Sequence, residues 1–284
     1  MDTRAKNSYD KNLWVSDVPP EIFMVYKSLE SWVKTTLWYY LKRIVLTKCG
    51  GFGDICAVEI GAGLGKISIM MNLLGSDTTL LDYNEKGLRR ASEVHRKFGC
   101  KSKYVLADAL DLPKKLRTKF DISMSFGTAE HFLGNERQKI FDVHFKILKN
   151  GGFSIIQVPN TLGLFYRIAH GILRLTGRWP ADLPEQPFTH SELCRLAKNS
   201  GYVNVKIVPC TSLWFDLRHF IFGNAISFFR KKIQKRKIPN IPDWNTVPEE
   251  MKIRLKELVK ANNSGIGLLE GRFASSIMLI AERP

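Results

Sequence analysis

The chain has no apolar run long enough to cross a bilayer, which excludes an integral helical membrane protein as its class. Its first residues, MDTRAKNSYDKN, lack the apolar stretch of a secretory signal and carry acids foreign to a transit peptide, so a cytoplasmic location is expected. Cysteine is scarce and unpatterned: Cys49, Cys56, Cys100, Cys194 and Cys210 are odd in number and never spaced as C-x-x-C. That excludes a disulfide framework, a thiolate zinc site and an iron–sulfur cluster, and no metal site is expected. Internal repeats are absent, which argues against a solenoid. Acidic residues are few, 27 against 43 basic ones, and the net charge is +16. An excess of that size draws a protein towards nucleic acid, anionic lipid or acidic partners.

What is present, from residue 55 onwards, is an alternation of short apolar runs with helical patterns, the mark of a parallel sheet covered by helices. Strands are predicted at 55–61, 78–83, 103–107, 120–126, 153–158, 203–209 and 274–282, with helices near 64–74, 85–98, 134–149 and 189–200. Between the last two strands no helix is predicted, and strands joined without a crossover helix cannot be parallel neighbours, so the last should run antiparallel. The expected fold is therefore α/β and Rossmann-like, with a seven-stranded, mostly parallel sheet and an antiparallel last strand. Residues 1–54 are expected to form an N-terminal helical cap and 55–284 one domain, with insertions at 161–188 and 210–272. Both insertions leave the sheet at its C-terminal edge, where open α/β sheets bind ligands.

The segment VEIGAGLGK at 58–66 carries the first chemical signal. Gly61, Gly63 and Gly65 follow a strand and open a helix, so the backbone can turn sharply and present helix N-terminal amides to a ligand. A dinucleotide fingerprint would need its third glycine at position 66, which is Lys66. Asp82 closes the second strand, at the place from which a carboxylate receives ribose hydroxyls, and Tyr83 follows where a ring can lie against adenine. Asp108 and Ala109 end the third strand within LADALDLP and are placed to meet the adenine amino group and ring. Glycines also make turns and aspartates also cap helices. Their joint order and spacing argue for a nucleoside site.

VEIGAGLGK, LLDY, LADALDLP, FDISMSFGTAEHF and ILKNGGFSIIQVPN resemble, in order, the successive motifs of class I S-adenosylmethionine-dependent methyltransferases. The resemblance implies S-adenosylmethionine as cofactor, with Glu59, Gly61 and Gly63 around its methionine moiety, Asp82 at the ribose, and Asp108 and Ala109 at the adenine. It further implies that Phe126 and Gly127 line the floor beneath the sulfonium. Within that superfamily Glu130-His131, QVPNT at 157–161 and PFTHSEL at 187–193 look most like the ubiquinone-biosynthesis O-methyltransferases. Those enzymes have a metal-holding glutamate three residues before the Glu-His pair, where this chain has Gly127.

Transfer of a methyl group from a sulfonium is an in-line displacement, so positioning supplies most of the acceleration. A hydroxyl acceptor must also lose its proton, and His131 is the candidate general base, with Glu130 as alternative or orienting partner. The same positions also suit a helix cap or a packing contact. LWFDLRHFIFGNAISFF at 213–229 runs into RKKIQKRK at 230–237, and LGLFYRIAHGILRLTGR at 162–178 repeats the amphipathic pattern. Aromatic-rich helices beside polybasic clusters suit an anionic membrane surface and a lipid-like small-molecule acceptor. The alternatives are an RNA methyltransferase binding phosphate through these insertions, and a regulatory protein that binds the cofactor without catalysis. An amphipathic lid with solvated lysines explains the same pattern without any partner.

Overall fold

The structure, a computed structural model, describes residues 21–176, 185–210, 245–261 and 273–284. Two helices come first, α1 (Ile22–Trp32) and α2 (Thr36–Cys49). The Thr35 side chain starts α2 by accepting the Trp38 amide at 3.3 Å. Seven strands follow: β1 (Cys56–Ile60), β2 (Asp77–Asp82), β3 (Ser102–Leu106), β4 (Phe120–Phe126), β5 (Leu148–Pro159), β6 (Val203–Pro209) and β7 (Ser276–Glu282). Between them lie α3 (Lys66–Leu73), α4 (Glu85–Lys97), α5 (Asn135–Ile147), α6 (Leu164–Leu175), α7 (His190–Asn199) and α8 (Glu249–Lys260).

The strand order is β3-β2-β1-β4-β5-β7-β6. Strands β1 to β5 pair in parallel, while β7 is antiparallel to both β5 and β6. This is the Rossmann-like sheet expected, with one correction. The stretch between the last two strands contains α8, where no helix was predicted. Its sequence EEMKIRLKELVK is dominated by charge, and only Leu255 and Val259 are buried. What holds α8 is tertiary: the Trp38 indole donates to the Val259 carbonyl at 3.3 Å, and the buried Lys42 ammonium caps the end of α8 through the Lys260 and Ala261 carbonyls.

Period-2 alternation along the strands sends neighbouring side chains to opposite faces, giving a large core on each. Ala57, Ile122, Met124, Ile155 and Met278 pack with Tyr26, Trp38, Met70 and Val259 on the side of α1, α2, α3 and α8. Val58, Ile60, Ile156, Val158 and Leu279 pack with Ile140, Phe141, Leu193 and Leu196 on the side of α5 and α7. Helix α4 begins at Asn84, whose side chain accepts the Gly87 amide at 2.9 Å, and α7 begins at Thr189, which accepts the Glu192 amide at 3.1 Å. The strand order reverses between β1 and β4, so the crevice of the sheet opens where these two strands end. The aromatic and polybasic runs at 213–237, the N-terminal 1–20 and part of each insertion lie outside the described residues.

Candidate active site

The turn leaving β1 places Gly61, Gly63 and Gly65 in the left-handed region, at φ 64°, 52° and 62°. Each glycine answers a different demand. A Cβ on Gly61 would fall 2.4 Å from the Thr128 side chain, and one on Gly65 would fall 2.4 Å from Leu80 and 2.9 Å from His95 Nε2. Around Gly63 nothing lies within 4 Å, so its backbone faces open space that a ligand can approach. The turn is pinned by the Leu81 carbonyl, which accepts the Gly61 amide at 2.8 Å and the Ala62 amide at 3.2 Å.

Two buried groups brace this turn from behind. Glu59 Oε2 accepts the Ser68 amide at 3.1 Å and the Ser68 hydroxyl at 2.5 Å, so the first turn of α3 is tied to β1. Burial raises the Glu59 pKa to about 7, the Ser68 hydrogen bonds oppose the rise and the Asp82 charge adds to it. His95 lies 3.1 Å from the Leu64 carbonyl through Nε2 and 2.8 Å from Ser102 Oγ through Nδ1. A carbonyl only accepts, so Nε2 carries the proton, Nδ1 accepts from Ser102, and Ser102 accepts in turn from Thr78 at 2.7 Å. Burial holds His95 down at about 4, in keeping with a neutral ring.

Asp82 closes β2 with both oxygens in use: Oδ2 accepts the Gly63 amide at 3.1 Å and Oδ1 the Asn84 amide at 3.0 Å. Tyr83 beside it is partly exposed. The Asp82 carbonyl receives the Ala107 amide at 3.1 Å, which sets the end of β3 next to β2, and Asp108 Oδ1 accepts the Leu110 amide at 2.8 Å, turning the chain over the buried Ala109. Phe126 ends β4 against the first core, and the Gly127 amide donates to the Gln157 carbonyl at 3.3 Å. All the predicted nucleoside and methionine positions thus gather on the C-terminal edge of β1 to β4.

Just beyond β4, Glu130 and His131 sit in a short 3-10 turn, Ala129–His131. Glu130 is buried, with Oε1 3.6 Å from the point where a Gly127 Cβ would stand and Oε2 without a hydrogen-bond partner among the described residues. Burial pushes its pKa up to about 8; the nearby Glu185 charge adds and Arg137 opposes. His131 is half-buried beside it. Arg137 of α5 is itself buried and fixes the approach to α7: Nε meets Glu192 at 2.8 Å, Nη1 and Nη2 donate to the Gln186 and Pro187 carbonyls, and the guanidinium lies 3.5 Å over the Phe188 ring. Tyr166 on α6 donates its hydroxyl to Glu185 at 2.7 Å.

Thr128, His95, Arg137, Tyr166 and Glu185 were not singled out from sequence. A signal existed for two of them: Arg137 occupies the inward stripe shared with Ile140, Phe141 and His144, and His95 follows Leu88, Ala91 and Val94 on the inward face of α4. A polar residue on a buried stripe needs a partner, and here the partners build the site. Among the described residues no group of three or more His, Cys, Asp or Glu could hold a metal ion, and no helix is long and apolar enough to cross a membrane.

Several solved structures share this fold. A SAM-dependent methyltransferase from Archaeoglobus fulgidus is 20% identical, covering 86% of this chain and 94% of its own, with a TM-score of 0.51. The phosphoethanolamine N-methyltransferase 2 of Haemonchus contortus, solved with S-adenosyl-L-methionine, is 14% identical over 82% of this chain and 49% of its own, with a TM-score of 0.51. A [4+2]-cyclase, SpnF, is 16% identical over 87% of this chain and 80% of its own, with a TM-score of 0.53, so likeness at this level carries the fold and not the reaction. The deciding match is to a family model: residues 57–152 fit the one described as a methyltransferase domain, a span holding the glycine turn, Asp82, Asp108 and Glu130. Residues 57–152 thus form a methyltransferase domain, on a fold shared with S-adenosylmethionine-dependent methyltransferases. No curated protein matches this chain by sequence. The match goes no further than the methyltransferase domain, and the narrower likeness to the ubiquinone-biosynthesis type rests on the sequence motifs alone.

The cofactor fits the residues present. Gly63 leaves its backbone open, the Gly61 and Gly65 contacts keep the turn shut behind it, and Asp82 faces the same space with one lone pair on each oxygen unspent by the backbone. S-adenosylmethionine supplies an electrophilic methyl group on a sulfonium when bound.

Proposed function

We propose that this methyltransferase methylates a hydroxyl oxygen of an amphipathic, lipid-like small molecule presented at an anionic membrane surface. In this reading Glu59, Gly61 and Gly63 surround the methionine moiety, Gly65 completes the cofactor turn, Asp82 holds the ribose, Tyr83, Asp108 and Ala109 receive the adenine, and Phe126 and Gly127 form the floor. His131 removes the acceptor proton and Glu130 orients the acceptor or shares that task.

The observation that carries the reading is α6. Leu164, Ile168, Ile172 and Leu175 recur at helical spacing and are exposed, Leu175 at 89%, while Arg167 and Arg174 stand exposed on the same helix. The same helix holds Tyr166 on Glu185, next to Glu130. In this reading one element carries both a lipid-facing stripe and a wall of the acceptor side. Apolar area bordered by arginines favours an interface of acyl chains and anionic headgroups over phosphate alone. The polybasic run at 230–237 adds to the charge but lies outside the described residues.

The test is flotation with anionic vesicles. Ile168→Ser with Ile172→Ser removes apolar area and no charge, so vesicle binding should fall by about tenfold, at about 25 cal/mol per Å2 of apolar surface, while weak, salt-sensitive RNA binding stays put. Wild-type protein that ignores vesicles yet binds structured RNA tightly at physiological salt would replace this reading with that of an RNA methyltransferase.

A further inference from the structure

Glu130 and Glu185 stand together on the acceptor side of the cofactor site. The Gln186 amide donates to the Glu130 carbonyl at 2.9 Å, which brings the segment after α6 against the turn after β4. Glu130 Oε2 is buried and unpartnered among the described residues, and its Oε1 sits by Gly127 at the end of β4. Glu185 accepts only the neutral Tyr166 hydroxyl in the described hydrogen bonds. The Tyr166 and His170 rings stack beside them, with centroids 5.6 Å apart at 23°.

The cations nearby do not complete the pair. Arg137 is committed to Glu192, to two carbonyls and to the Phe188 ring. Arg174 is exposed on α6, and among the described residues no lysine or arginine forms an ion pair with Glu130 or Glu185. A buried carboxyl oxygen without a partner is costly, and two neighbouring carboxyls make each other's ionisation harder. A compact cation with several N–H donors answers both deficits, and aromatic faces favour it further.

We infer that Glu130 and Glu185, with the rings of Tyr166 and His170, form a subsite for an ammonium group, so that the methyl acceptor is an amphipath carrying a cationic amino group. This rests on the proposed amphipathic acceptor and narrows it. The ammonium stays protonated and gives hydrogen bonds to the carboxylates. Burial keeps Glu130 largely neutral at pH 7, with a pKa near 8, so seating a cation ionises it and its proton leaves to solvent. Tyr166, Arg137, Arg174, His131 and His170 are the other titratable or charged groups around it; burial holds His170 below its usual range and Tyr166 above its own.

The experiment is titration calorimetry on the full chain saturated with S-adenosylhomocysteine, using octylammonium and 1-octanol as probes in two buffers of different ionisation enthalpy. Octylammonium should bind about tenfold or more tighter than octanol and release protons on binding. Glu130→Gln, and separately Glu185→Gln, should bring the two probes to within about threefold of each other while S-adenosylhomocysteine affinity holds. If Glu130→Gln does not fold, the half-exposed Glu185 carries the test. Equal binding of both probes to wild-type protein, or a preference that survives in both variants, overturns the ammonium subsite and leaves the amphipathic acceptor standing. Binding of neither probe overturns both.

Discussion

Asp82 is braced before any ligand arrives: one oxygen holds the Gly63 amide, the other the Asn84 amide, and together they set the turn after β1 against the end of β2. Asp82→Ala removes that brace along with the proposed ribose contacts. Charge-assisted hydrogen bonds contribute roughly 1.5–3 kcal/mol each, so calorimetry should show at least a tenfold loss of S-adenosylhomocysteine affinity. A folded variant with unchanged affinity would remove the ribose assignment. Glu130 makes a different kind of claim. Its folded pKa, near 8, lies above the ordinary 4.5, so the stability it contributes is fully present below 4.5 and is lost as pH rises through 8. Glu130→Gln keeps the neutral shape and cannot ionise. Relative to wild type its melting temperature should therefore climb between pH 4.5 and 8, by several degrees in all; a constant offset across that range would show that Glu130 is not held neutral. Asp82 was legible because it ends a strand at a recognisable distance from a glycine turn. The state of Glu130 was not, because burial and the approach of Glu185 come from segments 55 residues apart.

Helix α4 reaches the cofactor turn through His95, whose ring links Thr78 and Ser102 on β2 and β3 to the Leu64 carbonyl. Replacement by phenylalanine leaves that carbonyl unpaired, whereas glutamine can return a donor of similar reach. His95→Phe should lower cofactor affinity by roughly tenfold, the effect of a lost buried hydrogen bond of about 1–2 kcal/mol, and His95→Gln should restore most of it. Equal affinities for the two variants would reduce His95 to packing. The strands could be read because central parallel strands are short segments rich in apolar residues, as in CAVEI and FSIIQVP, or alternate apolar with small polar residues, as in FDISMSF. Helix α8 could not, since its charged sequence does not announce a helix that depends on Trp38 and Lys42 for its anchorage, more than 200 residues away in sequence. Helix α6 stood between these cases: its amphipathic period was plain, but only the packed structure leaves Leu164 and Leu175 facing outward.

The whole molecule combines two opposed sets of buried titratable groups. His95 and His144, held down at about 4 and 3 by burial, contribute stability that is fully present above their ordinary 6.5 and is lost as pH falls through those values. Glu59 and Glu130, raised to about 7 and 8, contribute stability present below 4.5 and lost as pH rises. Between 4.5 and 6.5 the two trends oppose each other, so thermal denaturation should give a broad plateau there with a decline on either side. A melting temperature still rising at pH 9 would contradict this balance. The order of strands and glycine turns, and with it the S-adenosylmethionine fold, was determined by sequence alone, because periodicity and turn chemistry are local properties. Tertiary structure decided the rest. It inserted β7 between β5 and β6, seated α8 on the N-terminal helices, spent Arg137 on the wall of the site, and left Glu130 Oε2 without a hydrogen-bond partner among the described residues. Each of these depends on burial and on contacts between distant segments, and a charge or a hydrogen bond has no defined energy until its surroundings are in place.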